Sequence, residues 1–223
     1  MKYTVLFLLA FLSCTSEKRQ ESTPVPSNTV PSLTEIYDFR PDSLGYASPQ
    51  EVALQVIDFL RTKDTSLYLS TIIPLKGQQY LFAQNLEYRP DIKDQSAFLD
   101  KLTNKYDRRV DNFLVRSHYI LQIMEEDKNF DITAASIDTI TYEDVRIKSY
   151  GGFNSFIIGQ WADLTVKMSY KDKPYYFEIP QVIQLKDKWF LYYPEYYLRT
   201  QKELDFVKKS IEEINAKAEE FWL

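Results

Sequence analysis

The chain has 223 residues and a formal net charge of −5 at pH 7, from 27 Lys and Arg against 32 Asp and Glu. This acidic balance, with no clustered basic segment, excludes a typical nucleic-acid-binding protein. A single cysteine excludes an internal disulfide and any cysteine-rich zinc or iron–sulfur site, and no glycine-rich phosphate loop is present among the five glycines.

Residues 1–13 have the pattern of a secretory signal peptide. Lys2 supplies a positive start, an apolar run extends from Tyr3 to Leu12, and the small residue Ser13 precedes Cys14. The apolar run is about half the ~20 residues that a membrane-spanning helix needs. We therefore expect this segment to be an export signal that is removed.

Phe11-Leu12-Ser13-Cys14 resembles the lipobox of bacterial lipoproteins. The resemblance implies that Cys14 is lipidated, carrying a diacylglycerol and a further acyl chain such as palmitate, and becomes the first residue of the mature protein. Thr15 is not the Asp associated with inner-membrane retention, which favours the outer membrane. The lipid bilayer would then be the first partner of the chain. The alternative is an ordinary signal peptide that is cut near Ser16 and leaves Cys14 without a role.

Residues 14–32 are predicted to form an unfolded linker behind the lipidated cysteine. The segment is rich in Ser and Thr and contains Pro24, Pro26 and Pro31, with few apolar residues to offset the loss of chain entropy. At ~3.3 Å per residue it could span up to ~60 Å. An α+β domain is expected over residues 33–199, beginning with an irregular lead-in.

The first helices are predicted from their caps. Ser48-Pro49-Gln50-Glu51 is a capping box with proline at the first helical position, and it opens a helix that extends to about Thr62. Asp64 can cap a second, shorter helix that Pro74 stops. A further helical turn is expected within 79–86.

The apolar period is 3.6 from Asp94 to about Asp127, which predicts one long helix or two with a bend. After that it changes to 2, which predicts consecutive antiparallel strands joined by tight turns. Pro180 predicts an edge strand or a bulge at its position. The predicted strands are Ile132–Tyr150, Phe156–Tyr170, Tyr175–Leu185 and Trp189–Tyr193.

Residues 200–223 are predicted to form a C-terminal amphipathic helix. Thr200-Gln201-Lys202-Glu203 is a second capping box, and apolar residues follow at three- and four-residue steps. The stripe either packs on its own domain or mediates self-association. Its first four positions are Leu204, Val207, Ile211 and Ile214.

Helices followed by a meander of strands predict an α+β domain in which N-terminal helices pack on a curved antiparallel sheet. This order is similar to that of the NTF2-like (cystatin-like) domains. The resemblance rests on the helical pair within 48–73, the helix before Asp127 and the strands within 156–193. It implies a pocket between helices and sheet, and no particular activity.

His118, the only histidine, is the one candidate for a general base, and it would need a carboxylate in the pocket. Its neighbours four residues away are Leu114 and Gln122, so a structural histidine is the simpler interpretation. No catalytic constellation, metal site or cofactor is predicted. Aromatic residues that could bind a sugar or an apolar ligand, or could equally be core, are Trp161, Trp189, Tyr175, Tyr192 and Tyr193.

The sequence thus favours a membrane-anchored lipoprotein of the bacterial cell envelope with a non-catalytic domain that binds a small ligand or an envelope protein. Two alternatives stay open. One is an NTF2-like enzyme that uses His118, and the other is a self-associating envelope scaffold that uses the C-terminal helix.

Overall fold

The computed structural model describes residues 36–41, 44–86, 92–126, 128–149, 156–193 and 195–221. The predicted signal peptide, lipobox and linker lie outside these residues, as does the tight turn between the first two predicted strands.

In the described part of the chain, four helices of seven or more residues precede the sheet and one follows it. The helices are α1 (Pro49–Thr62), α2 (Thr65–Thr71), α3 (Leu75–Gln84), α4 (Gln95–Glu126) and α5 (Gln201–Phe221).

The starts of these helices follow from their caps. The Ser48 hydroxyl accepts a hydrogen bond from the Glu51 amide at 3.3 Å, and the Glu51 carboxylate accepts one from the Ala47 amide at 3.0 Å. Asp64 caps α2 by accepting from the Ser66 amide at 2.9 Å. These bonds satisfy amide groups that have no partner within the helix. The predicted starts of α1 and α2 are therefore confirmed.

The sheet has five strands and is antiparallel throughout. The strands are β1 (Ser136–Ser149), β2 (Phe156–Tyr170), β3 (Lys173–Leu185), β4 (Lys188–Leu191) and β5 (Tyr197–Thr200). Their order is β1-β2-β3-β4, and β5 also pairs with β3. Because β2 occupies one edge of β3, the strands β4 and β5 share the other edge.

Pro180 marks a bulge in β3, as one of the two predicted alternatives requires. The pairing of β2 with β3 shifts register between Ala162 and Leu164, opposite the proline, and Gln181 has a φ of 70°. The Asp163 carboxylate accepts a hydrogen bond from the Gln181 amide at 3.3 Å. β3 is not an edge strand, because it has partners on both sides.

The core lies between the helices and one face of the sheet. Its contributors from α1 include Val52, Val56 and Ile57, each 0% exposed, and β3 contributes Phe177 and Ile179. The predicted α+β class, with helices packed on an antiparallel sheet, is therefore confirmed.

Two elements differ from the predictions. β5 was not expected, because four residues are too few to show a period. α3 spans Leu75–Gln84, whereas a turn of helix was expected within 79–86. Pro74 stands immediately before α3, where a residue that lacks an amide proton costs the helix nothing.

The first turn of α5 is fixed to the domain. The Glu203 carboxylate accepts hydrogen bonds from the Thr200 amide at 2.8 Å and from the Thr200 hydroxyl, and it pairs with Lys128. Leu204 is buried and Val207 is half-buried. The side chains of Ile211 and Ile214 lie outside the description, so self-association through this stripe stays a prediction.

Glu203→Gln should lower the free energy of unfolding by about 0.5–1 kcal/mol at pH 7, the range expected for a partly exposed ion pair. Glutamine preserves the capping box, so the variant isolates the Lys128 contact. That contact, together with the bonds from Thr200, lowers the pKa of Glu203 to about 2.

Because the pKa of Glu203 is lower in the folded state than in the unfolded state, the ionised carboxylate stabilises the fold above pH 4.5. This stabilisation is lost as the pH falls toward 2. Urea unfolding at pH 7 and pH 3 should show the difference between the two proteins shrinking with the pH. Glu213→Gln, which removes only an exposed ion pair with Lys209 on the same helix, is the control. A pH-independent difference would contradict this account.

Candidate functional site

A groove lies between α3 and α4, and we call it the α3–α4 groove. It has a cavity volume of about 200 Å³. Its walls come from one side of each helix, because lining positions recur at steps of three or four residues. The lining residues are Gln78, Phe82, Phe98, Lys101, Leu102, Lys105 and Arg109.

The groove combines an apolar floor with cationic residues. Phe82 and Phe98 meet edge to face with ring centroids 5.0 Å apart, and Leu102 is half-buried beside them. Lys101 and Lys105 are exposed. None of the seven lining residues is acidic, so the groove carries positive charge in a protein of net negative charge.

Two hydrogen-bond donors are buried in residues that line this groove. Gln78 is 1% exposed, and its Oε1 accepts from Arg109 Nη1 at 2.8 Å. This bond fixes the orientation of the amide, because the flipped amide would set donor against donor. Gln78 Nε2 and Arg109 Nη2 have no acceptor among the described residues. A buried donor without a partner costs about 1–3 kcal/mol, so this pair is a candidate for contact with a ligand.

Arg109 is held in place by two aromatic rings. Its guanidinium carbon lies 5.3 Å from the centroid of Phe113 and 5.1 Å from that of Tyr192. Both distances are within the ~6 Å range of a cation–π contact. The guanidinium is therefore oriented before any ligand arrives.

Ile73 connects both walls of the groove to β4. The Tyr106 hydroxyl of α4 donates to the Ile73 carbonyl at 3.1 Å, and the Ile73 amide donates to the Leu191 carbonyl at 3.0 Å. Burial raises the pKa of Tyr106 to about 12. Tyr106 therefore stays a neutral donor at any physiological pH.

Comparison with known proteins does not assign the chain to a family. No family model, curated protein or solved structure matches the chain. The resemblance to lipoproteins and NTF2-like domains consequently remains a prediction from the sequence.

His118 lies away from the groove. It is exposed on α4, its Nδ1 is 2.8 Å from the Leu114 carbonyl oxygen, and its ring meets Phe59 edge to face at 6.3 Å. No carboxylate appears among its described hydrogen-bond partners. The structural and the catalytic interpretations of His118 both stay predictions.

Four of the five predicted aromatic ligand candidates belong to the core. Trp161, Trp189, Tyr175 and Tyr192 are between 1% and 8% exposed. Tyr193 is half-buried, with its ring 5.1 Å from that of Phe113 and with the Arg116 guanidinium 5.2 Å above it. Of these five residues, only Tyr192 contacts a residue that lines the groove, because its ring packs against the Arg109 guanidinium.

A second group of polar atoms lies beneath the sheet. The hydroxyls of Tyr68 and Tyr196 are buried near Ser117, whose own hydroxyl donates to the Phe113 carbonyl at 3.0 Å. Burial raises the pKa of Tyr68 to about 12 and that of Tyr196 well above its usual value. These groups are neutral and enclosed, and they carry no charge for a ligand to recognise.

A wider depression at the β2–β3 turn carries lysines but no buried polar group. It includes Lys167, Lys171 and Lys173, and the ammonium of Lys171 lies over the Tyr170 ring at 4.8 Å. Within the described residues, no group of three or more His, Cys, Asp or Glu could hold a metal ion. Likewise, no described helix has the length and apolar character to cross a bilayer.

The groove residues were not predicted from the sequence. One signal was available, since Lys101, Lys105 and Arg109 recur at four-residue steps beside the row of Phe98 and Leu102. The facing wall could not be found in this way, because Gln78 is 31 residues from Arg109 and meets it only in the folded chain.

Tyr68→Phe should leave the free energy of unfolding unchanged or raise it by up to about 1 kcal/mol, because it removes the penalty of a buried hydroxyl that makes no well-formed hydrogen bond. Tyr106→Phe removes a real bond to Ile73 and should cost about 1 kcal/mol. Thermal and urea unfolding of the two matched variants measure the contrast. Equal losses would show that the Tyr68 hydroxyl is fully bonded.

Proposed function

We propose that this chain is a lipid-anchored protein of the bacterial cell envelope whose α+β domain binds a small ligand in the α3–α4 groove without chemically changing it. The observation that carries the binding role is the pair of buried donors, Gln78 Nε2 and Arg109 Nη2, beside an apolar floor. Binding sites combine these two features, apolar surface for affinity and a few placed polar groups for orientation.

The anchor is supported by the sequence. A diacylglycerol on Cys14 contributes ~0.8 kcal/mol for each buried methylene, and two or three acyl chains hold a protein stably on a bilayer. The linker of residues 14–32 would separate the domain from the lipid surface. Attachment to the outer membrane would then need no contribution from the fold, and the domain could bind its ligand in the surrounding compartment.

A binding role also accounts for where positive charge is placed. Arg109 is fixed between two rings, and Lys101 and Lys105 are exposed along the same side of α4. Within the part of the chain that the structure describes, none of these groups is paired with a nucleophile or a general base. The arrangement can attract, orient and retain a ligand, which is the activity of a carrier or a sensor.

Cys14→Ser should move the protein from the membrane fraction to the soluble fraction of bacterial cells and abolish labelling with radioactive palmitate. Ser13→Ala, which keeps a small residue before the cysteine, should leave both unchanged. A Cys14→Ser protein that stays wholly in the membrane fraction would refute lipid anchoring.

Leu102→Trp should block the groove by filling its floor. A fragment library screened by nuclear magnetic resonance against the acylated protein in lipid nanodiscs should yield compounds that shift the signals of groove residues. These compounds should lose at least tenfold in affinity for Leu102→Trp. Val115→Trp, at a position 68% exposed on the same helix, is the control. A screen without any groove ligand would contradict the binding role.

A further inference from the structure

The two unpartnered groups in the groove are both donors. Gln78 Nε2 carries two N–H bonds and Arg109 Nη2 carries two more, while the acceptor oxygen of Gln78 is already used by Arg109 Nη1. A ligand that satisfies this site must therefore bring acceptors and no donor. Because one of the donors is a guanidinium, a negatively charged acceptor forms the strongest hydrogen bonds here.

The geometry points to the carboxylate of a small organic acid as the group that the α3–α4 groove binds. One carboxylate oxygen accepts from Arg109 Nη2 and the other from Gln78 Nε2, and the apolar part of the acid covers Phe82, Phe98 and Leu102. This assignment rests on the proposed function, since it names the ligand class of the same groove.

The size of the groove limits the acid. A cavity volume of about 200 Å³ is below the ~300–1,000 Å³ of a typical ligand pocket. A nucleotide or a whole phospholipid is too large, and a short aliphatic or single-ring acid is of the right order. The floor is aromatic and aliphatic, so burial of the tail adds affinity in proportion to the apolar area covered.

The number of donors favours a carboxylate over a phosphate. Two buried donor positions match the two oxygens of a carboxylate, whereas a phosphate monoester would leave a third charged oxygen to be satisfied. Lys101 and Lys105 are exposed, so they contribute attraction at long range that salt screens. Arg109 is already oriented by Phe113 and Tyr192, which reduces the entropy lost on binding.

The test uses four compounds with one tail and different heads: hexanoate, hexan-1-ol, hexylammonium and hexyl phosphate. Calorimetric titration of the acylated protein in phosphatidylcholine nanodiscs, with empty nanodiscs as the blank, should show binding of hexanoate. The alcohol should bind at least tenfold more weakly, and the ammonium should not bind. Hexyl phosphate should bind more weakly than hexanoate.

Variants locate the contact. Arg109→Met and Gln78→Leu should each lower the affinity for hexanoate at least tenfold. Arg108→Met, at an exposed neighbouring position, should leave that affinity unchanged. Should Arg109→Met fail to fold, the exposed double change Lys101→Gln with Lys105→Gln still tests the charge. This double change should lower the affinity for hexanoate by about threefold at low salt and by less at high salt.

The outcomes separate this inference from the proposed function. Equal binding of hexan-1-ol and hexanoate, or tighter binding of hexyl phosphate, would overturn the carboxylate assignment and leave ligand binding in place. The assignment also fails alone if hexanoate does not bind while fragments of other chemistry occupy the groove. If no compound of any class binds there, both are overturned.

Discussion

A guanidinium removed from water has to be compensated, and the way Arg109 is compensated shapes this domain. Two rings, Phe113 and Tyr192, face it, and Gln78 accepts one of its hydrogen bonds. These contacts join α4 to α3 and to the end of β4. They still leave one guanidinium nitrogen without an acceptor in the described chain. An incomplete compensation of this kind is costly to folding and useful to binding.

The binding site shares residues with the core, since Phe82 and Tyr192 belong to both. The core beneath the sheet is mainly apolar apart from the hydroxyls of Tyr68, Tyr196 and Ser117, and Trp161 and Tyr192 are in edge-to-face contact there at 5.3 Å. The groove lies on the other side of this packing, between two helices. At its floor Phe98 and Leu102 are partly exposed, whereas Phe82 is 1% exposed.

Local signals in the sequence predicted much of the fold. The capping boxes at Ser48 and Thr200 predicted the starts of α1 and α5, and the change of period after α4 predicted the sheet. Pro180 predicted an edge strand or a bulge, and the structure has the bulge. These features depend on neighbouring residues, so one sequence contains the information.

The binding site could not be predicted in the same way. Its walls depend on which faces of α3 and α4 meet, and that is decided by packing across many residues. The aromatic candidates were chosen for their chemistry, and four of them are needed as core. Tyr192 shows why chemistry alone was insufficient, since it contributes by orienting a cation that the sequence did not single out.

The hydrogen bonds of Ile73 have a kinetic consequence. The residue joins α4, through Tyr106, and β4, through Leu191, and it directly precedes Pro74 at the start of α3. Both sides of the groove are thus attached to the same strand and would shift together. The two donors are buried, so a guest reaches them only when the side chains that cover them move, and its capture is slower than the diffusion limit.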